Sequence, residues 1–590
     1  MPDSTHAALD ALRDRIHPLV PATTRRRIRE LFSGQNFAVR RDLGREETTR
    51  LAYAQMRSIN DEFGPGSDLL AEPRRLFALF SWAGLADPTL TFVILVHYCL
   101  ALATIIDQGT HSARVAELDD LTSYGSFLIT EPNRGGSHVA TRTQARYDAE
   151  HDEFILHTPS PVAAKLASAG LPDLPKLGVV CARLEVAGRD RGVFAFTVPL
   201  RNERGLLPGI QFDALPGMPL PATDSGLVTF DRVRVPRRDW LPGGASIDAD
   251  GTFHDGGADA DARLLRTMSG GSYCWPAQSV ALAAAARGCV TIALRYASQR
   301  TTMGRRTPRL PAIAHRNQYR PLLGALAEAY AITFLANESA MGAPGKSTDT
   351  LGSAATPWTS VNSSSALTKA LAADGLERVA ERCRHSSGVL GLMTANRILD
   401  YQMLGHAFHA AGGDGQLILL DTARALAAGP GPQPPGSIED GNLLDLDFLQ
   451  ALAEAREHRA YQQAAEVAEK TWNEQYDAFL QLARAHGAAK ILAAGRRAVT
   501  ETTDPQAASL LADLCTLHAL ETTQAASGWL LANKLLTPSQ ALEIPDAMNV
   551  LCEHLLPHIP TLIDAFDIPE TLLGDPLARN AIPPGGSGND

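Results

Sequence analysis

Leu128-Ile129-Thr130-Glu131-Pro132-Asn133-Arg134-Gly135-Gly136-Ser137 leaves an apolar stretch and enters a polar, glycine-rich turn. Backbone N–H groups and a hydroxyl exposed in such a turn can hold the ring edges and phosphate oxygens of a cofactor; a plain connection is the equal alternative. Arg300 closes a long apolar helix and is followed by Thr301, Thr302 and Gly304. A cation there complements the negative end of the helix dipole, and its planar fork suits a pyrophosphate as well. The seven cysteines (Cys99, Cys181, Cys274, Cys289, Cys383, Cys515 and Cys552) lie far apart, with no CxxC and no Cys/His cluster. They read as reduced thiols, and no metal site is expected.

The elements that carry these residues belong to a globular protein. Of 590 residues, 45% are hydrophobic and 20% charged, which excludes a disordered or fibrous chain. At about 150 residues per domain the length implies three or four units. A formal net charge of −11 argues against nucleic acid as a partner, because phosphate neutralisation needs a basic face. The start, MPDSTHAALDALRDRI, is too polar for a signal peptide, and the ending GGSGND lacks a peroxisomal address; a cytoplasmic location is the default. Thr89 to Ile106 reaches the length of a short membrane span. Its His97, Tyr98, Cys99 and threonines favour a buried core helix, so no membrane contact is expected.

Helical spacing runs through HAALDALRDRIHPLV, REETTRLAYAQMRSINDEF and RRLFALFSWAGL. From about residue 125 the pattern becomes that of strands, with a hairpin turn at Ala149–Asp152 and apolar runs around Gly188-Arg189-Asp190-Arg191-Gly192. Val228, Phe230, Val233 and Val235 continue a strict alternation. Helices return after the Gly/Asp-rich turn at 249–260, in SVALAAAARGCVTIALRYASQR, YRPLLGALAEAYAITFLANES and SSALTKALAADGLERVAERCRHSSG. Gly342–Thr359 reads as an exposed loop, AAGPGPQPPGS (427–437) as a linker, and PPGGSGND as a disordered tail. The expected fold is α+β and mostly α: an N-terminal helical domain (1–124), a central β-barrel or sandwich (125–248), and two C-terminal helical bundles (249–427 and 438–580).

That order, together with particular residues, resembles the acyl-CoA oxidase branch of the acyl-CoA dehydrogenase superfamily. LITEPNRGGSHVA is similar to the T-E-x-x-x-G-S signature of the family's flavin-binding β domain. LPGIQFDALPGM (207–218), TFDRVRVPR (229–237), RGCVTIALRYASQRTTMG, LILLDTARALA (417–427) and the closing HIPTLIDAFDIPETLLGDPLA resemble oxidase segments in the right order. The resemblance spans about residues 30 to 580. It implies FAD, an acyl thioester on CoA or a carrier protein, dioxygen as electron acceptor, and a homodimer. It places Thr130 at the isoalloxazine and Gly136 with Ser137 at the ribityl–phosphate part. Arg300, with Gly304 behind it, would reach the cofactor across a dimer interface, with Arg305 and Arg306 as weaker candidates. Gln318 would lie on the adenine side, or Arg316 after a shift of two. Ser386-Ser387-Gly388-Val389-Leu390-Gly391 resembles a glycine turn from the neighbouring subunit, through Gly388 and Gly391. AKLASAG (164–170) stands where oxidases carry W-W-P-G-G, keeping Gly170 and losing the aromatic wall.

In the family a carboxylate removes the α-proton of the thioester while the β-hydrogen leaves as hydride. Counting back from Thr422-Ala423-Arg424, the position of that carboxylate falls on Gly412, which cannot take a proton. The alternative site in the superfamily, within Leu264 to Gly288, holds no Asp or Glu. Asp414 is the nearest carboxylate and the candidate base, against a loop-capping role; His406 and His409 are close, and such histidines are more often surface or packing residues. Three functions follow: an oxidase or dehydrogenase forming an α,β double bond with a displaced base, a flavin-dependent oxygenase on the same scaffold, or a non-catalytic thioester-binding or hetero-oligomeric subunit.

Overall fold

The computed structural model describes residues 2–40, 43–109, 112–216, 220–304, 309–342, 361–434 and 441–574. The expected loop Gly342–Thr359 beyond its first residue, the end of the 427–437 linker, the tail after 574, and Arg305 and Arg306 lie outside them.

Helices come first because the apolar spacing is helical. Pro2–Ile16, Ala22–Ser33, Arg45–Phe63 and Pro73–Ala86 lead into an apolar rod formed by Pro88–Ile94, the π-helix Leu95–Leu102 and Ala103–Gln108. Asp87 caps the rod, accepting from the backbone N–H groups of Thr89 and Leu90. Two helical stretches, Pro88–Gln108 and Gly271–Gln299, have the length and hydropathy of membrane spans. Their apolar windows are 78% and 100% buried in the fold, so both serve as core.

Among the described residues the strands then build two main sheets, beside two small two-stranded pairs. β1 (Tyr124–Leu128), β2 (Gln144–Asp148), β3 (Glu153–His157), β5 (Lys176–Val186), β6 (Arg189–Asn202), β7 (Gly205–Leu206), β10 (Val233–Pro236) and β11 (Trp240–Leu241) form one; β4 (Lys165–Ser168), β8 (Ile210–Ala214) and β9 (Ser225–Phe230) form the other. β1 and β2 both run parallel to β5, with Tyr124 opposite Lys176 and Gln144 opposite Arg183. The β2–β3 hairpin turns where expected. Two features differ from the sequence expectation. Ala187 and Gly188 alone, with φ of +52° and +71°, make the β5–β6 turn, a geometry that matches strand twist, and Arg189 already belongs to β6. The alternating run 225–236 splits at Arg232 (φ +51°), so β9 joins the small sheet while β10 pairs with β3. Alternation specifies a face but not a partner.

The helices Gly271–Gln299, Arg316–Gly342 and Ser363–Ser386 pack side by side as the main core, with Ile398–Ala410 and Gly415–Ala428 against them. Leu446–Glu466, Trp472–Thr500, Pro505–Ala525 and Pro538–Leu555 form the final bundle. The molecule is mostly α with a curled central sheet, as expected from the sequence. Fully buried Arg397 ties distant segments together, donating to the carbonyls of Leu85, Ala86 and Leu572. It stands at the start of Ile398–Ala410 with φ +61°, and so sets the direction in which that helix runs toward the site.

Candidate active site

A cavity of about 860 Å³ lies between the strands and the helices. Its strand wall includes Ser126, Thr130, Gly136, His138 and Ser168; its helical wall includes Leu95, Cys274, Trp275 and His406, and the loop Ala411–Asp414 closes one side. That volume is at the upper end for a small-molecule pocket.

Position on the strand wall is set by buried polar contacts. His97, in the π-helix, accepts from the backbone N–H of Gly125 at 3.0 Å, and a Cβ on Gly125 would lie 2.7 Å from Ala101 Cβ, so only glycine lets β1 approach. Burial holds the His97 imidazole neutral, its pKa down to about 3. Beyond β1, Lys165 Nζ donates to Ile129 O at 3.0 Å and pairs with Glu131 at 3.1 Å, both side chains being inaccessible to solvent. Glu131 also accepts from the backbone N–H groups of Arg142 and Thr143. Burial alone would raise the Glu131 pKa; the Lys165 charge and these N–H donors overcome it and hold the carboxylate below its ordinary range. Thr130 is therefore carried on a turn knotted around a buried ion pair. Arg45 fixes the lip, donating to Thr223 O at 2.7 Å and 3.1 Å.

The opposite loop is bound from three directions. Trp275 Nε1 donates to Gly412 O at 2.8 Å, Gln278 Nε2 to Ala411 O at 3.3 Å, and Lys369 Nζ to Gly413 O at 2.5 Å. Burial pushes the Lys369 pKa down to about 8 and the Cys274 thiol up to about 12. Gly412 and Gly413 have φ of +70° and +95°, which glycine adopts freely. A Cβ on Gly412 would come within 2.6 Å of Gln278 Oε1, an atom that is buried without a hydrogen-bond partner among the described residues. Gln278 thus fills the space that a side chain at position 412 would take. Asp414 lines the cavity, but its Oδ1 accepts from Gln416 N at 2.9 Å and Leu417 N at 3.0 Å, capping Gly415–Ala428. That is the capping role weighed against proton removal.

The candidate residues divide into two groups. Thr130, Gly136 and Asp414 come together on the cavity, and Ser137 follows Gly136 just off its wall. Gly170 lies off it: its N–H donates to Asp224 O at 2.9 Å, and a Cβ there would meet that oxygen and Phe212 at 3.0 Å. Ser168 and Ala167 of the same segment form the wall instead. Arg300, Gly304, Gln318, Gly388 and Gly391 do not line the cavity of the single chain. Arg300 is exposed with its guanidinium 5.8 Å from the Tyr296 ring centre, Gly304 is exposed, and Gln318 Oε1 is buried without a partner among the described residues. Arg316 instead bonds Tyr319. Gly388 has φ +60° on the surface, and Gly391 packs so tightly that a Cβ would sit 2.5 Å from Arg384 O. Met303 is 84% exposed and Val389 71%, beside the two surface groups. Sequence reasoning missed His138, Trp275, Gln278 and Lys369. A buried lysine inside an apolar helical pattern was the one available signal, since such a charge needs a partner.

Comparison with known proteins gives the following. Two family models match, acyl-CoA oxidase over residues 446–580 and the acyl-CoA oxidase C-alpha1 domain over residues 278–427. An acyl-coenzyme A oxidase-like protein of Mus musculus is 27% identical over 77% of this chain and 77% of its own. Peroxisomal acyl-coenzyme A oxidase 2 of Arabidopsis thaliana is 25% identical over 92% of this chain and 85% of its own. Among solved structures, acyl-CoA oxidase 3 of Yarrowia lipolytica superposes with a TM-score of 0.82 at 22% identity, covering 97% of this chain and 88% of that one. Acyl-CoA oxidase-2 of Caenorhabditis elegans, bound with FAD, ascaroside-CoA and ATP, gives 0.81 at 20% identity, covering 97% and 90%. The expected cytoplasmic location is corrected by these comparisons. Relatives from Arabidopsis thaliana, Homo sapiens and Phascolarctos cinereus are named as peroxisomal, and the cytoplasmic reading rested only on the lack of a recognisable address.

Proposed function

Because the chain belongs to the acyl-CoA oxidase family, we propose that its cavity binds FAD and an acyl thioester, on CoA or on a carrier protein, and that the protein introduces a Cα–Cβ double bond with dioxygen as final electron acceptor. An acyl-CoA oxidase-type oxidoreductase is the activity the family supports. The cavity between Thr130–Gly136 and Ala411–Asp414 is the observation that carries this reading. Its residues suit a flavin. Gly135, where a Cβ would meet nothing within 4 Å, and Gly136, with φ +74°, leave the turn bare of side chain beside the Thr130 hydroxyl. When bound, FAD supplies the two-electron acceptor for the β-hydrogen and returns the electrons to dioxygen as hydrogen peroxide.

The chain's own residues do the remaining work. Glu131 and Lys165 hold the Thr130 turn, and Trp275, Gln278 and Lys369 hold the loop opposite, so the reacting carbons lie between two fixed walls. The apolar rod Pro88–Gln108 contributes Phe92, Leu95 and Leu100 to keep water from an acyl chain. A homodimer completes the site in this reading: the Arg300–Gly304 end and the Gly388–Val389 start of the glycine turn lie on the surface with exposed Met303, suited to a partner copy's cofactor. The division at 1–124, 125–248, 249–427 and 438–580 is carried with it.

A second reading, a flavin-dependent oxygenase, is favoured by one observation: the atoms nearest a side chain at position 412 would be the carboxamide of Gln278, among the described residues. Purified protein supplied with FAD distinguishes these. A yellow protein that makes enoyl thioester and hydrogen peroxide in equal amounts from an acyl-CoA meets the first reading. A yellow protein reduced only by NAD(P)H with a reductase points to the oxygenase. A protein that stays colourless is a non-catalytic binding or partner subunit.

A further inference from the structure

With Gly412 unable to take a proton, the cavity needs another acceptor if the desaturation reading above is right, and this inference rests on that reading. We propose that His406 Nε2 removes the α-proton, with Glu377 as the positioning residue that keeps this nitrogen free. Among the described residues, the titratable side chains on the cavity wall are Arg45, His138, Cys274, His406 and Asp414. Arg45 is a permanent cation bonded to backbone carbonyls. Cys274 is a thiol held protonated by burial, and Asp414 spends one oxygen capping a helix. His138 stands on the opposite, strand wall near Lys165, where burial and that charge make it a poor base.

His406 differs in having a carboxylate behind it. Its Nδ1 lies 2.9 Å from Glu377 Oε1 across the contact between Ile398–Ala410 and Ser363–Ser386. A carboxylate there accepts the Nδ1 proton, and Nε2 is left as the acceptor. Gly405 permits this approach: a Cβ on it would lie 3.2 Å from Glu377 Cγ. His409 has a parallel neighbour, Asp374 at 3.4 Å, yet does not line the cavity. Ala410 follows His406 by four positions, so both share one helix face, about 6 Å apart along the axis, and both line the cavity. Ala407, Ala410, Ala411 and Gly412, which line the cavity with His406, bear nothing larger than a methyl group. In the step, the α C–H bond breaks and its proton goes to His406 Nε2. Its electron pair becomes the Cα–Cβ π bond as the β-hydrogen leaves with its own pair to the bound FAD. His406 is half exposed and returns the proton to water at the cavity mouth.

The test uses the full chain in two forms. In the apoprotein, ¹⁵N spectra of histidine read the tautomer of His406: Nδ1–H in the wild type, with that preference lost in Glu377→Gln and regained in Glu377→Asp. In FAD-loaded protein in heavy water, butanoyl-, octanoyl- and palmitoyl-CoA report α-hydrogen exchange, and calorimetry reports thioester affinity. His406→Gln is expected to lower exchange by about 10²-fold or more, as loss of a general base does, with affinity within threefold. His409→Gln is expected to exchange as the wild type does. Undiminished exchange in His406→Gln overturns the assignment and leaves desaturation standing; loss in Asp414→Asn with His406→Gln unaffected overturns it in favour of Asp414. A wild type that binds all three thioesters and exchanges none overturns desaturation and this inference together.

Discussion

At Gly412 two facts bear on one position: a left-handed backbone and a neighbouring carboxamide already in the space a side chain would take. Left-handed φ costs a non-glycine residue roughly 1–2 kcal/mol, and displacing buried Gln278 adds to it. Gly412→Glu alone is therefore expected to lower the chemical-denaturation midpoint without raising α-hydrogen exchange. Gly412→Glu combined with Gln278→Ala has room for the carboxylate and is expected to raise exchange; heavy-water exchange of an acyl-CoA, read beside the denaturation curves, checks both. The glycine was legible in the sequence because the neighbouring Thr422-Ala423-Arg424 fixes the count. Gln278 was not, since it lies 134 positions earlier and only the packing of Gly271–Gln299 against the loop brings the two together.

Among elements, the turn that carries Thr130 depends on Glu131 and Lys165. Removing one member of a buried pair leaves the other uncompensated, so Glu131→Gln is expected to cost about 3–5 kcal/mol by urea denaturation at neutral pH. Because the folded pKa of Glu131 is depressed, the stability it contributes is complete above the unfolded value of about 4.3 and is lost as pH falls through the folded value. Glu131→Gln should flatten the stability curve below about pH 4.3, and an unchanged slope there would contradict the linkage. The strand hosting this turn and the helices around it were readable from period 2 and period 3.6, as Arg45–Phe63 and the β2–β3 hairpin illustrate. The π-helix at Leu95–Leu102 was not, because an added residue in one turn leaves an apolar run apolar. Nor was the division of β9 and β10 between sheets, which Arg232 decides with its left-handed backbone.

For the whole molecule, the separation of candidate cofactor residues into a group on the cavity and a group away from it is the main consequence. If a second copy supplies Arg300 to each site, Arg300→Ala should weaken FAD retention without changing the monomer's helical content, and FAD content should fall with dissociation of the dimer; sedimentation combined with flavin absorbance checks this. The overall order of helices, strands and helices was plain from the sequence because each layer keeps one periodicity over many residues. The most direct measurement of the central claim is an anaerobic titration of the FAD-reconstituted protein with acyl-CoAs of short, medium and long chain. Loss of the flavin absorbance, with one enoyl thioester formed per flavin, is the predicted result; a flavin that stays oxidised while thioester binds would contradict the claim that this cavity desaturates.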